Sequence, residues 1–143
     1  MTRAMSVCIG VCLLGAAIAG HSETPKDHAH AAAAEKATGL KLETLLTAEL
    51  EGTKNTDVIV SRVTLPPHTT LPKHWHPGEE FAYILEGTAS LWLDGKVAST
   101  VEAGSVLKVP LKKVHTAITG DEGATLLVFR VHERGQPERV IVE

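Results

Sequence analysis

Cysteine is scarce in this chain. It has two, Cys8 and Cys12, and both lie within the first 19 residues. Those residues read as a leader. Arg3 supplies a short positive start, residues 4–19 carry no charge, and Ala17-Ile18-Ala19 has the small-x-small pattern read by signal peptidase. Cleavage after Ala19 leaves a mature chain without cysteine. Disulfides are then excluded as a source of stability, which must come from a packed core, a metal or oligomerisation. The apolar run is shorter than the roughly 20 residues of a comfortable membrane-spanning helix. An uncleaved anchor is the alternative reading. The expected location is periplasmic or secreted, with no membrane contact after cleavage.

Aromatic residues are also few, at 3% of the chain, which argues against a large stacking pocket. A basic patch is missing as well. Charges alternate in sign, the formal net charge is −3, and loss of Arg3 leaves 13 basic against 17 acidic residues. That balance excludes a nucleic-acid surface. No convincing helical periodicity follows residue 39. Residues 20–39 form a composition shift rich in Ala, Lys, Glu, Thr and His, read as a flexible linker. His28 and His30 could hold a metal loosely, but without a fixed scaffold they read as part of a solvated tail.

The remaining chain, residues 40–143, is patterned as short strands. Residues 42–47, 58–65, 71–76, 80–86, 89–93, 96–101, 105–109, 114–119 and 124–131 carry β-branched or alternating apolar residues. Turn residues bound them, notably Pro66-Pro67, Gly87, Ala103-Gly104, Pro110 and the run Gly120-Asp121-Glu122-Gly123. Asp94-Gly95 is a strong two-residue hairpin signal. Residues 135–143 read as a tail that pairs along an edge. Strands at this spacing predict an all-β antiparallel sandwich or barrel.

One stretch carries chemistry: His74-Trp75-His76-Pro77-Gly78-Glu79-Glu80. Residues two apart on a strand share a face, so His74 and His76 can aim at one point. Pro77-Gly78 turns the chain, and the next strand returns Glu80 toward that point. His115, far along the chain, is a fourth candidate. Neutral imidazoles with a carboxylate hold a divalent transition metal while leaving open positions, and Fe, Mn, Ni, Cu and Zn all suit such a set. Glu79 is expected to point away into solvent. Trp75 and Tyr83 are expected to pack, His68 and Lys108, Lys112 and Lys113 to lie at the surface, and His132 to be structural or exposed.

These residues resemble the two motifs of the cupin family. The first, Gly-x5-His-x-His-x3-Glu-x6-Gly, is matched by His74, His76, Glu80 and Gly87; the second, Gly-x5-Pro-x-Gly-x2-His-x3-Asn, by Gly104, Pro110 and His115. His68 departs from the first motif, and Lys112 and Thr119 from the second, none at a ligand position. The whole mature domain resembles the small single-domain bacterial cupins. The resemblance implies a conical β-barrel (double-stranded β-helix, jelly roll), one metal on His74, His76, Glu80 and His115, and a homodimer. Two functions stay open. One is a metal-dependent dioxygenase-type enzyme on a small molecule, with Glu80 as candidate base. The other is a non-catalytic periplasmic module binding a metal or small ligand.

Overall fold

The computed structural model describes residues 39–142. The leader, the linker up to residue 38 with His28 and His30, and Glu143 lie outside the described residues. Eight strands follow in chain order: β1 (Lys41–Glu49), β2 (Thr56–Leu65), β3 (His74–Trp75), β4 (Glu79–Leu93), β5 (Ser99–Glu102), β6 (Val106–Val109), β7 (His115–Glu133) and β8 (Val140–Ile141). Every pairing is antiparallel. Among the described residues there is no helix. The all-β jelly-roll expectation holds.

Two long strands make the architecture. The first half of β4 and the second half of β7 pair with each other from Glu79↔Val131 to Gly87↔Ala124, with one register shift between Ile84 and Glu86. β2 and then β1 continue from β7, and β6 continues from β4. The other halves pair from Ala89↔Thr119 to Leu93↔His115, flanked by β5 on one side and by β3 and β8 on the other. The sheet therefore curls into two layers that share β4 and β7. Period-2 alternation turns Val63, Leu65, Ala82, Ile84, Leu126 and Val128 inward as the core. Ile84 and Leu65 are almost fully buried.

The layers join where glycine is required. Gly87 and Gly123 have φ of +73° and +71°. A Cβ on Gly87 would stand 2.1 Å from the Gly123 carbonyl oxygen, and one on Gly123 would stand 2.6 Å from that of Leu65. Three backbones thus touch at the bend, an approach that only glycine permits. This corrects two expectations. Gly87 does not end a strand; it redirects β4 through a register shift. Residues 120–123 do not separate two strands; they bulge from a continuous β7 between its pairs with Ala89 and Gly87.

Two further boundaries differ. The strand expected over residues 71–76 shrinks to His74–Trp75, because Pro72 has no N–H to give a ladder. The 94–95 turn forms, with Lys96 N–H donating to Leu93 O at 2.9 Å, but β5 begins only at Ser99. The expected tail pairing appears as β8 on β3, through His74↔Ile141 and Trp75↔Val140.

Candidate metal centre

His74 comes from β3, His76 from the turn just after it, and His115 from the start of β7, directly opposite His74. All three are buried, at 5%, 3% and 3% exposure. Each ring has a backbone carbonyl at Nδ1: Pro72 O at 2.8 Å for His74, Glu138 O at 2.6 Å for His76 and Lys113 O at 3.0 Å for His115. A carbonyl oxygen only accepts, so Nδ1 carries the proton and donates. Each Nε2 is left with a lone pair, and the three potential ligand atoms lie within 4.8 Å of one another. A backbone carbonyl that fixes tautomer and ring direction is the usual support of a metal-binding histidine.

Glu80, at the start of β4, stands at the edge of this group. Its Oε2 lies 3.0 Å from His76 Nε2 and its Oε1 3.9 Å from His115 Nε2. The His76 approach lacks hydrogen-bond direction, and His76 Nε2 is buried without a hydrogen-bond partner. A lone pair facing a carboxylate oxygen at that distance is repulsive unless a cation lies between them. The donor set therefore fits a metal cation, a chemistry the imidazole and carboxylate atoms share. Gly78 permits the turn: a Cβ there would stand 2.0 Å from Val131 O.

Burial alone would raise the Glu80 pKa, but the charge of Arg130, whose Nε donates to Oε2, outweighs it and holds the carboxyl well below the usual range. For His74, burial and the neighbouring His115 and His76 push the pKa down to about 3. Burial also lowers that of His115, against the opposing pull of Glu80. At neutral pH the site thus presents neutral imidazoles at these two positions and an ionised carboxylate.

Two site residues escaped the sequence reading. Arg130, opposite Glu80 across β4 and β7, donates from Nε to Glu80 Oε2 at 3.0 Å. Its Nη1 pairs with the Glu138 carboxylate. The alternation of Ala124, Leu126, Val128 and Arg130 on the inward face of β7 was the available signal. Nothing in the sequence marks Glu138, which lies on the C-terminal strap after β7. Here His132, buried, has its Nε2 2.9 Å from Pro137 O and helps to fasten that strap.

The other candidates sort as follows. Glu79 faces out and pairs with Lys108 at 2.6 Å. His68 lies exposed beside Asp121, and Lys113 sits 3.6 Å from Asp94. Trp75 is half-buried. Tyr83 does not pack into the core; it is 42% exposed on the outer face of β4, whose phase sends Glu80, Ala82 and Ile84 inward.

Residues 61–130 match the cupin domain family. This chain is a cupin. Its fold resembles that of the DMSP lyase DddQ from Ruegeria pomeroyi (TM-score 0.62, 22% identity, 72% of this chain and 51% of the other). The cupin thus spans about half the length of that lyase. A cupin-like protein from Thermotoga maritima is similar over 72% of this chain and 75% of its own (TM-score 0.60, 23% identity). An RmlC-like cupin with a double-stranded β-helix fold from Methanocaldococcus jannaschii aligns over 67% and 83% (TM-score 0.56, 16% identity). Among curated proteins, none matches this cupin in sequence.

The three departures from the cupin motifs keep their geometry. His68 and Lys112 both adopt φ of 56°, the left-handed backbone that glycine would supply. The Thr119 hydroxyl donates to Pro66 O at 2.6 Å and accepts from Thr69 N–H at 2.9 Å, so it ties the turn around His68. Three close histidines in a cupin suggest a metal site. Beside them opens a cavity of about 70 Å³. At roughly 10–15 Å³ per water, that is room for about five waters, or one small molecule.

Proposed function

We propose that this cupin is an exported metal-dependent oxygenase of a small molecule, in which His74, His76, His115 and Glu80 hold one divalent transition metal. One observation carries the reading: three buried imidazoles, each fixed through Nδ1, turn their lone pairs to one point. A metal bound there supplies Lewis acidity, or redox chemistry toward O2. The chain's own residues do the rest. The apolar walls, including Leu42, Val63, Leu91 and Leu107, exclude water and orient a substrate. Arg130 keeps Glu80 in place and ionised.

Glu80 is the carboxylate placed to take a substrate proton, although its low pKa makes it a weak base at neutral pH. That weakness favours a second reading, a non-catalytic module that binds a metal or small ligand through the same residues. We also read the protein as a homodimer. The outer face formed by β1, β2, β7, β4 and β6 exposes Leu46, Phe129, Tyr83 and Val106, an apolar area of the kind that a second copy would cover.

Metal analysis of protein purified without a His-tag, followed by oxygen uptake with enediols, phenols and diketones, tests the function. Stoichiometric metal with oxygen consumption supports the oxygenase. Stoichiometric metal without turnover supports the binding module. Full metal content in a His74→Ala, His76→Ala double variant would defeat both readings.

A further inference from the structure

Charge and apolarity are separated along the cavity. On paired β4 and β7 the inward residues run Glu80, Ala82 and Arg130, Val128, from ionic to apolar. The ionic end holds the histidines with Glu80 and Arg130, and the strap adds Glu138 and Arg139. The far end is lined by aliphatic side chains alone, Leu40, Leu65, Ala89 and Val101 among them. Such a cavity fits a ligand with one charged head and a short aliphatic tail.

The head is chosen by Arg130. Its side chain is 4% exposed, so its charge must be met by anions inside the protein. Glu80 meets Nε and stands beside His76 and His115. The second anion is different in kind. The Glu138 side chain is 39% exposed and belongs to a strap whose only strand pairing among the described residues is the two-residue β8. The strap's backbone is fixed independently, by Glu138 O to His76 Nδ1 and by Val142 N–H to Lys73 O at 2.8 Å. The Glu138 carboxylate can therefore swing into solvent while its backbone stays. A guanidinium offers a planar fork of donors that matches any carboxylate in the same place.

We propose that the cavity takes a short aliphatic monocarboxylate, its carboxylate on Arg130 in the place the Glu138 side chain now holds, and its tail among the aliphatic walls. Glu138 then acts as an internal stand-in that keeps Arg130 paired until ligand arrives. This names the ligand class of the site proposed above and rests on that reading.

The test is calorimetric titration of the metal-loaded full-length protein with butyrate and with butyramide, which has the same shape and no charge. Wild type is expected to bind butyrate at least about tenfold more tightly, since hydrogen bonds to charged groups exceed neutral ones by that order. Glu138→Gln removes the competing charge from the half-exposed strap and leaves the buried framework alone. It is expected to tighten butyrate several-fold and to leave butyramide unchanged. Arg130→Gln should abolish the preference and Arg130→Lys should keep part of it.

Equal binding of the two probes, no binding of either by both wild type and Glu138→Gln, or a preference for butyrate that survives in folded Arg130→Gln would each overturn the assignment. The last result would place the carboxylate on the metal instead. Metal content measured on the same samples separates this proposal from the one it rests on. Metal without the preference defeats the ligand class alone, and the preference without metal defeats the metal reading alone.

Discussion

Acid should destabilise the metal-free domain from just below neutral pH, and His74 should dominate the effect. Its pKa falls from 6.5 to about 3 on folding, chiefly because its ring is buried. A folded pKa below the unfolded one means that the unfolded chain binds more protons, so stability falls as pH falls. The loss begins at the unfolded value near 6.5 and continues down to about 3. Each pH unit in that window costs about 1.4 kcal/mol per group, so at about pH 4.5 His74 alone removes about 2.7 kcal/mol. His115 is shifted in the same direction and steepens the slope just below 6.5. Glu80 acts in the same direction but at lower pH: its pKa is depressed, so its contribution is intact above the ordinary carboxylate value of 4.5 and fades only below it. Against a typical total of about 5–15 kcal/mol, a loss of this size is readily measured. Urea unfolding in EDTA at pH 7, 6, 5 and about 4.5 gives the slope, and His74→Asn, which cannot take the proton, should flatten it. A stability that stays constant between pH 7 and 5, or an unchanged slope in His74→Asn, would refute the reasoning.

Further outcomes follow from the same geometry. Gly87→Ala, with a Cβ 2.1 Å from Gly123 O on a backbone at φ +73°, should cost more than the about 1–2 kcal/mol of a left-handed residue alone; urea midpoints within error of wild type would contradict the bend described above. EDTA should lower the melting temperature, because a metal at 100-fold excess over its Kd adds about 2.7 kcal/mol, whereas a reductant should leave the mature chain unchanged. Glu80→Gln should keep part of its metal while His115→Ala loses most of it. If Glu80 is the base, turnover of Glu80→Gln falls by about 10²–10⁴-fold, and an unaltered rate would remove Glu80 from the chemistry. Light scattering should find a dimer that Phe129→Glu dissociates; a wild-type monomer at micromolar concentration would count against the outer-face contact.

The sequence by itself determined the strand class and the pairing of His74 with His76, for a local reason. Alternation along a strand is a property of adjacent residues, so His74, His76 and the inward face of β7 could be read without knowing what lay opposite. Family-like spacing then brought His115 and Glu80 into the same set. Tertiary structure alone decided the rest. Whether Gly87 and residues 120–123 stop a strand or bend it depends on which backbones meet there, and those of Leu65 and Gly123 come from distant parts of the chain. Arg130 reads as an isolated charge in an apolar strand until the β4–β7 register sets it against Glu80. Glu138 reads as an ordinary surface acid until the strap folds back over His76. Burial of an ion is tolerable only with a partner, and the partner's identity is a long-range fact that no local pattern contains.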